Sequence, residues 1–243
     1  MAENRFALIV ATSKYQDPDL KTLIAPAQDA EALSEVLNDS NIGRFEVKML
    51  LNQPSHMVNE EIEAFFSERK RDDLLLLYFS CHGIKDEFGN LYFATCNTVR
   101  KMILSTSVSA NLVNFICEQS PSNERIIILD CCYSGTYIKN RSMFNISNTK
   151  KSVILTSSNA VQYSFQTYAF DRVIAHSVFT NTLVKGIWTG NADLDQDGII
   201  SCGELYQYLG LYMKHILHPQ SPQIMLSGES PYDINIAQTP IIH

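Results

Sequence analysis

The sequence predicts a three-layer α/β/α sandwich, with helices on both faces of a six-stranded, mostly parallel sheet. Two observations carry that prediction. Short apolar runs of strand length alternate with segments whose apolar residues repeat at helical spacing, the pattern of strand–helix crossovers. Two of these runs, 74–79 and 126–129, also empty directly into residues that carry chemistry: Ser80-Cys81-His82-Gly83 and Asp130-Cys131-Cys132-Tyr133-Ser134-Gly135. Open α/β sheets place their reactive groups at that carboxyl edge.

Taken in order, residues 6–11 read as a first buried strand. Residues 20–26 lead into a helix that sets Ala30, Leu33 and Leu37 on one face. The stretch 45–51 alternates apolar and polar residues, which suits a strand near the sheet edge. After Pro54-Ser55, a second helix carries Val58, Ile62, Phe65 and Phe66 as its apolar stripe, with glutamates opposite. The strand leading to His82 follows, then a hairpin over 85–93 turning at Phe88-Gly89-Asn90. A third helix is predicted to present Val108, Leu112, Phe115 and Ile116 to the core, before the 126–129 strand. Residues 136–150 are polar, lack a period and read as an exposed loop. Residues 152–156 form a fifth strand, Phe179, Leu183 and Ile187 mark a fourth helix, 205–217 a fifth, and 223–226 a last strand. The domain is therefore drawn over 1–226, with 227–243 as a tail leading into a further domain.

At 243 residues, 45% hydrophobic and 19% charged, the chain has material for one large domain with a real core. A net charge of −7 argues against nucleic acid or an anionic membrane as partner. No apolar run nears the ~18 residues of a membrane span, and the first residues lack signal-peptide character. Six cysteines, at 81, 96, 117, 131, 132 and 202, follow no framework spacing, so reduced thiols in a cytoplasmic protein are expected. No Gly-rich phosphate loop is present, and no organic cofactor is expected. His176 has no partner at metal-ligand spacing and is given no role.

Two strand exits that deliver a histidine and a cysteine suggest nucleophilic catalysis. A thiol of pKa ~8.5 is only a few per cent thiolate at neutral pH, so it needs a base beside it. His82 is placed to take the proton of Cys132 and return it to a leaving amine. Gly83 and Gly135 leave backbone amides uncrowded near the pair, suited to an oxyanion. A free cysteine is also among the most buried residue types, so packing alone is the competing account for either residue taken singly.

The Tyr-Phe-Ser-Cys-His-Gly and Leu-Asp-Cys-Cys-Tyr-Ser-Gly stretches resemble the two catalytic motifs of the caspase-like cysteine peptidases, most closely the metacaspase and bacterial caspase-like branch. In caspases the histidine lies about 50 residues upstream of the cysteine, as it does here. The resemblance runs from about Phe6 to Leu226. It implies a caspase-like sandwich in which His82 is the general base and Cys132 the nucleophile, with Gly83 at the oxyanion. Cys131 fills a small-residue slot, and Cys81 departs from the family's usual Gly or Ala. True caspases place an arginine directly after the cysteine to bind aspartate; here that position is Tyr133. The metacaspase pattern instead implies an acidic specificity pocket, matched by Asp29, Ser80 and Asp130, and hence cleavage of polypeptides after Arg or Lys. Asp29 also suits a helix N-terminus and Asp130 a strand-end turn. The same resemblance marks Lys139, Arg141, Lys150 and Lys151 as sites of self-cleavage, against the alternative of a loop charged for solubility. By analogy alone it points to bacterial defence or regulated cell death.

The stretch from Asp193 to Glu204 fits a twelve-residue EF-hand loop at its diagnostic positions. Asp193, Asp195, Asp197 and Glu204 supply carboxylates, Ile199 a backbone carbonyl and Ser201 a hydroxyl, with Gly198 at the sharp turn. Calcium is the expected cofactor, though no second loop is found to pair with this one. An acidic turn capping the following helix is the alternative. Calcium-stimulated activity is common in metacaspases. The main rival to a peptidase is a catalytically silent signalling or scaffold module that acts through a regulatory partner.

Overall fold

The computed structural model describes residues 4–137, 150–157, 164–169, 172–214 and 221–240; for 164–169 and 172–175 it describes the backbone alone. Six strands form the central sheet: β1 (Arg5–Ala11), β2 (Glu46–Leu51), β3 (Leu74–Cys81), β7 (Glu124–Cys131), β8 (Lys151–Thr156) and β12 (Gln223–Ser227). Their order is β12-β8-β7-β3-β1-β2. All neighbours are parallel except β12, which closes one edge antiparallel to β8. The fold is the three-layer α/β/α sandwich expected.

Alternation along the strands sorts their side chains into two cores. Ile9, Leu76, Tyr78, Ile126 and Ile128 pack with α1 (Ala25–Asn38), α5 (Val178–Trp188) and α6 (Cys202–Met213). Leu8, Leu75, Leu77, Ile127 and Leu129 pack with α2 (Ser55–Ser67) and α4 (Ala110–Gln119). The sequence-derived stripes on α1 and α2 are buried in full. The hairpin is present as β4 (Gly83–Lys85) and β5 (Leu91–Phe93), with Gly89 at φ +82 in its turn.

Two expectations fail. The third predicted helix turns a different face inward. Val108 belongs to a short strand, β6 (Val108–Ser109), paired with β5 after the single helical turn α3 (Ile103–Thr106). With the helix starting at Ala110, it is Ala110, Val113 and Cys117 that meet the core, while Leu112 and Phe115 are exposed. The second failure is the tail. Ile234, Ile236 and Ala237 lie in the α1 and α5 side core, and β13 (Asn235–Gln238) pairs antiparallel with β11 (Ile199–Ser201). Arg5 fastens this return by donating to the carbonyls of Asn235 and Ile236. Apolar burial, not chain order, sets the boundary. Among the described residues no helix is long and apolar enough to cross a membrane.

Candidate active site

The chain runs outward from β1 to β2, then crosses back to β3 on the other side of β1. The strand order thus reverses between β1 and β3, the position at whose carboxyl edge open α/β sheets bind their ligands. β3 and β7 are neighbours here, with Ser80 paired to Asp130 and Cys81 to Cys131. The next residues on each strand exit are His82 and Cys132, so register alone brings them level. Contact is at backbone distance. A Cβ built on Gly83 would lie 1.9 Å from the Cys132 carbonyl oxygen, so this position admits only glycine without displacing the cysteine.

The loop after β1 holds the imidazole. Nε2 of His82 lies 2.8 Å from the Lys21 carbonyl oxygen. A carbonyl only accepts, so Nε2 carries the proton and Nδ1 keeps the lone pair. The His82 amide donates to the Tyr15 hydroxyl, which donates to the Thr12 carbonyl, and the two rings lie 4.9 Å apart. Partial burial lowers the His82 pKa below the usual histidine value, so the ring is neutral at neutral pH. Cys132 is half-buried, whereas Cys81 and Cys131 are fully buried with their thiol pKa values pushed up by desolvation. Of the three neighbouring thiols, these two are packing residues. Tyr133 follows at φ +61, a left-handed turn that ends β7 at the cysteine.

Two residues back along each strand, Ser80 and Asp130 project to the face opposite Cys81 and Cys131, toward α1 and α5. There Asp130 meets Asp29, which α1 points inward, and both carboxylates are buried. Ser177, which caps α5, joins them. Its amide donates to Asp29 at 3.1 Å to Oδ2, and its hydroxyl donates to Asp130. Thr180 adds a 2.7 Å hydrogen bond to Asp130 and lies 2.8 Å from the Tyr78 hydroxyl. His176, at the end of β10 (Arg172–Ser177), sets Nδ1 2.8 Å from Oδ1 of Asp29. Burial raises the Asp29 pKa to about 6 and also raises that of Asp130. The hydrogen bond from His176 to Asp29 raises the imidazole pKa in turn. The three pocket residues inferred from the motif thus come together. His176 is corrected from no role to an ion-pair partner, and Ser177, Thr180, Tyr15 and Lys21 were missed. No local signal marks any of them: their partners stand tens of residues away.

The sequence model of the caspase domain matches residues 4–224. The chain belongs to the caspase family. Solved structures agree on the caspase fold. Protein GSU0716 from Geobacter sulfurreducens superposes with a TM-score of 0.66 at 16% identity, covering 98% of each chain. Caspase-1 from Spodoptera frugiperda gives 0.64 at 14% identity, covering 94% of this chain and 88% of its own. The structure of pro-sf-caspase-1 gives 0.60, also at 14%, covering 94% of each. At such identities the likeness speaks for the fold alone. Among curated proteins none matches the sequence significantly.

Lys139 and Arg141 fall outside the described residues. Lys150 is not free in a loop, because its Nζ donates to the Glu118 and Ser120 carbonyls. Lys151 opens β8, paired with Glu124, so its backbone is held in the sheet rather than presented as a scissile loop. The acidic loop turns through two left-handed residues, Gln196 at φ +63 and Gly198 at φ +87. Ligand atoms of Asp193, Asp195 and Asp197 cluster within 4.8 Å of one another. Ser201 and Glu204 form a capping box at the start of α6, and Glu204 also accepts from the Leu194 and Asp195 amides. A concavity of about 810 Å³ lies at the other edge of the sheet, lined by Arg5, Glu46, Glu124, Lys151 and Asn235 among others, with no cysteine, serine or threonine in its lining.

Proposed function

We propose that this caspase domain is a cysteine endopeptidase of the metacaspase-like branch that cuts polypeptides after Arg or Lys. The supporting observation is the β3–β7 register, which pairs Ser80 with Asp130 and Cys81 with Cys131, the residues that lead directly into His82 and Cys132. In the mechanism, Nδ1 of His82 accepts the Cys132 thiol proton while the Lys21 carbonyl steadies the growing imidazolium through Nε2–H. The thiolate attacks the substrate carbonyl, and the Gly83 amide faces the resulting oxyanion, an interaction worth about 3–4 kcal/mol at a well-formed site. His82 then protonates the leaving amine. Water, deprotonated by the same imidazole, hydrolyses the thioester. Asp29 and Asp130 attract the basic side chain before the cut, with charge-assisted hydrogen bonds as the means. Lys139 and Arg141 are the self-cleavage sites that this specificity favours.

Calcium is the ion we propose for the acidic loop. Its donors are all oxygens, and Oδ1 of Asp193 is shielded from solvent without a hydrogen-bond partner. EF-hand loops usually pair through a short strand; β13 offers β11 that support here. Asp193, Asp195, Asp197, Ser201, Glu204 and the Ile199 carbonyl would hold the ion, which neutralises their mutual repulsion and ties α6 to the sheet.

Matched fluorogenic peptides ending in Arg, Lys or Asp, each with calcium and with chelator, test both readings. Turnover after Arg or Lys that vanishes in Cys132→Ala is expected. Turnover after Asp instead would remove the acidic-pocket reading. Silence on all three, together with a Cys132 no more reactive toward an electrophilic probe than Cys96, would favour a scaffold. Calcium at 100 times its dissociation constant should stabilise the fold by about 2.7 kcal/mol, and Asp193→Ala should lose that gain.

A further inference from the structure

The acidic pair already has a basic side chain of this chain against it. Asp29 is sealed from solvent, whereas His176 keeps 26% of its side chain exposed. The other described partner of Asp29, Ser177, is buried. A cation approaching Asp29 from solvent therefore meets the imidazole first. Ser177 follows directly, so any movement of His176 away from Asp29 is felt by the hydroxyl and amide that bridge Asp29 to Asp130.

We propose that His176 determines specificity as an internal counter-cation: it stands in for the substrate's Arg or Lys on Asp29, and productive binding requires its displacement. The proposal rests on the basic-specificity reading above. It adds a residue to the pocket and a competition to the binding step.

The competition has a direction with pH. From α1, Asp29 contacts the imidazole directly. From β7 and β3, Asp130 and Tyr78 belong to the network behind Asp29, and α5 contributes the uncharged Ser177 cap and Thr180. Strand β9 (Ser164–Ala169) pairs with β10 and places Phe165 opposite His176; its one titratable residue, Tyr168, is opposite Val173. Below its raised pKa His176 is a cation that the substrate must displace from an ion pair. Above that pKa only a neutral hydrogen bond is displaced. Competition therefore fades as pH rises.

The test measures binding in Cys132→Ala protein, which cannot turn over. Peptides ending in arginine or in citrulline, its uncharged isostere, are titrated near pH 7 and pH 9 with His176 intact and as His176→Asn. Asparagine keeps a donor close to the Nδ1 position but carries no charge. The variant is expected to bind the arginine peptide about fivefold more tightly near pH 7 and less than twofold more tightly near pH 9, and the citrulline peptide, which must displace the same imidazole, should gain in the same direction. His176 also helps to hold the Asp29 pKa down, so the titration of that carboxyl is followed by NMR in both backgrounds. An arginine-peptide affinity that His176→Asn leaves untouched, weakens, or strengthens equally at both pH values overturns the proposal alone. Equal binding of arginine and citrulline peptides throughout overturns the basic-specificity reading and the proposal with it. A second measurement needs no change at position 176: the His176 pKa, followed by NMR, should fall toward the ordinary histidine value when arginine peptide saturates the site. An unchanged pKa overturns the proposal.

Discussion

His82 and Cys132 lie two residues beyond Ser80 and Asp130 on the same two strands, yet the two pairs are held in opposite ways. The Cys/His pair is partly exposed and fastened by backbone: the Lys21 carbonyl, the loop around Tyr15, and the Gly83–Cys132 contact. The acidic pocket is buried and fastened by side chains from His176, Ser177 and Thr180, more than forty positions further along the chain than Asp130. The difference follows from what each must do. A reacting pair must exchange protons with a substrate and tolerates little positional error, so it is best pinned by rigid main chain. A pair of carboxyls held out of water needs hydroxyl and amide donors around it, and Ser177 and Thr180 supply them.

The largest expected effect removes the nucleophile. Cys132→Ala should lower peptide turnover by at least about 10⁴-fold, while the melting temperature stays nearly constant. Cys131→Ala should leave the reaction in place, since that thiol is buried on the other face. An equal loss at Cys131 would mean that the pairing of roles with exposure is wrong. Next comes Gly83→Ala, whose Cβ meets the Cys132 backbone. A displacement of about 1 Å should cost roughly 100-fold in kcat/KM, with the His176–Asp29 pair still detectable by the histidine's NMR pKa.

The acidic pair should answer in stability before it answers in rate. Asp130→Ala strands the Ser177 and Thr180 hydroxyls in the core, at a cost of about 1–3 kcal/mol in urea unfolding. Asp130→Asn, which still accepts a hydrogen bond, should cost less. The smallest effect is a slope. The folded-state pKa of Asp29 is raised from 3.8 to about 6, so its contribution to stability is present below about pH 4 and lost as pH climbs through 6. The loss is on the order of 3 kcal/mol, a net figure that already includes its hydrogen bonds to His176 and Ser177. His176, also raised, has the same sign: its contribution is present below the ordinary histidine range and fades as pH rises past its folded value. These two groups should thus lower the unfolding free energy from pH 4 through 7, against the opposite contribution of His82, whose pKa is lowered. Asp29→Asn should flatten the lower part of that fall; an unchanged slope would place the titration elsewhere.

Legibility followed the range of the interaction. The six strands, the stripes on α1 and α2, and the Cys/His strand exits were readable because alternation and helical period are local and repeat. The α4 face was misread since Val108, apolar and one turn from Leu112, belongs to a strand that pairs with Phe93. Residues 234–237 escaped notice because a four-residue strand is too short to show a period. The candidate pocket was half legible: motif position pointed to Asp29, Ser80 and Asp130, but nothing at position 176 announced that its partner stands 147 residues earlier.

By itself, then, the amino-acid order determined the layer pattern, the strands and the two chemical exits, since each depends on residues within one element. Only the tertiary structure decided that β3 and β7 lie side by side, that Lys21 orients the imidazole, and that His176 pairs with Asp29. Those contacts join segments far apart in the chain. Their free energy comes from burying shared surface, which no single segment can do alone.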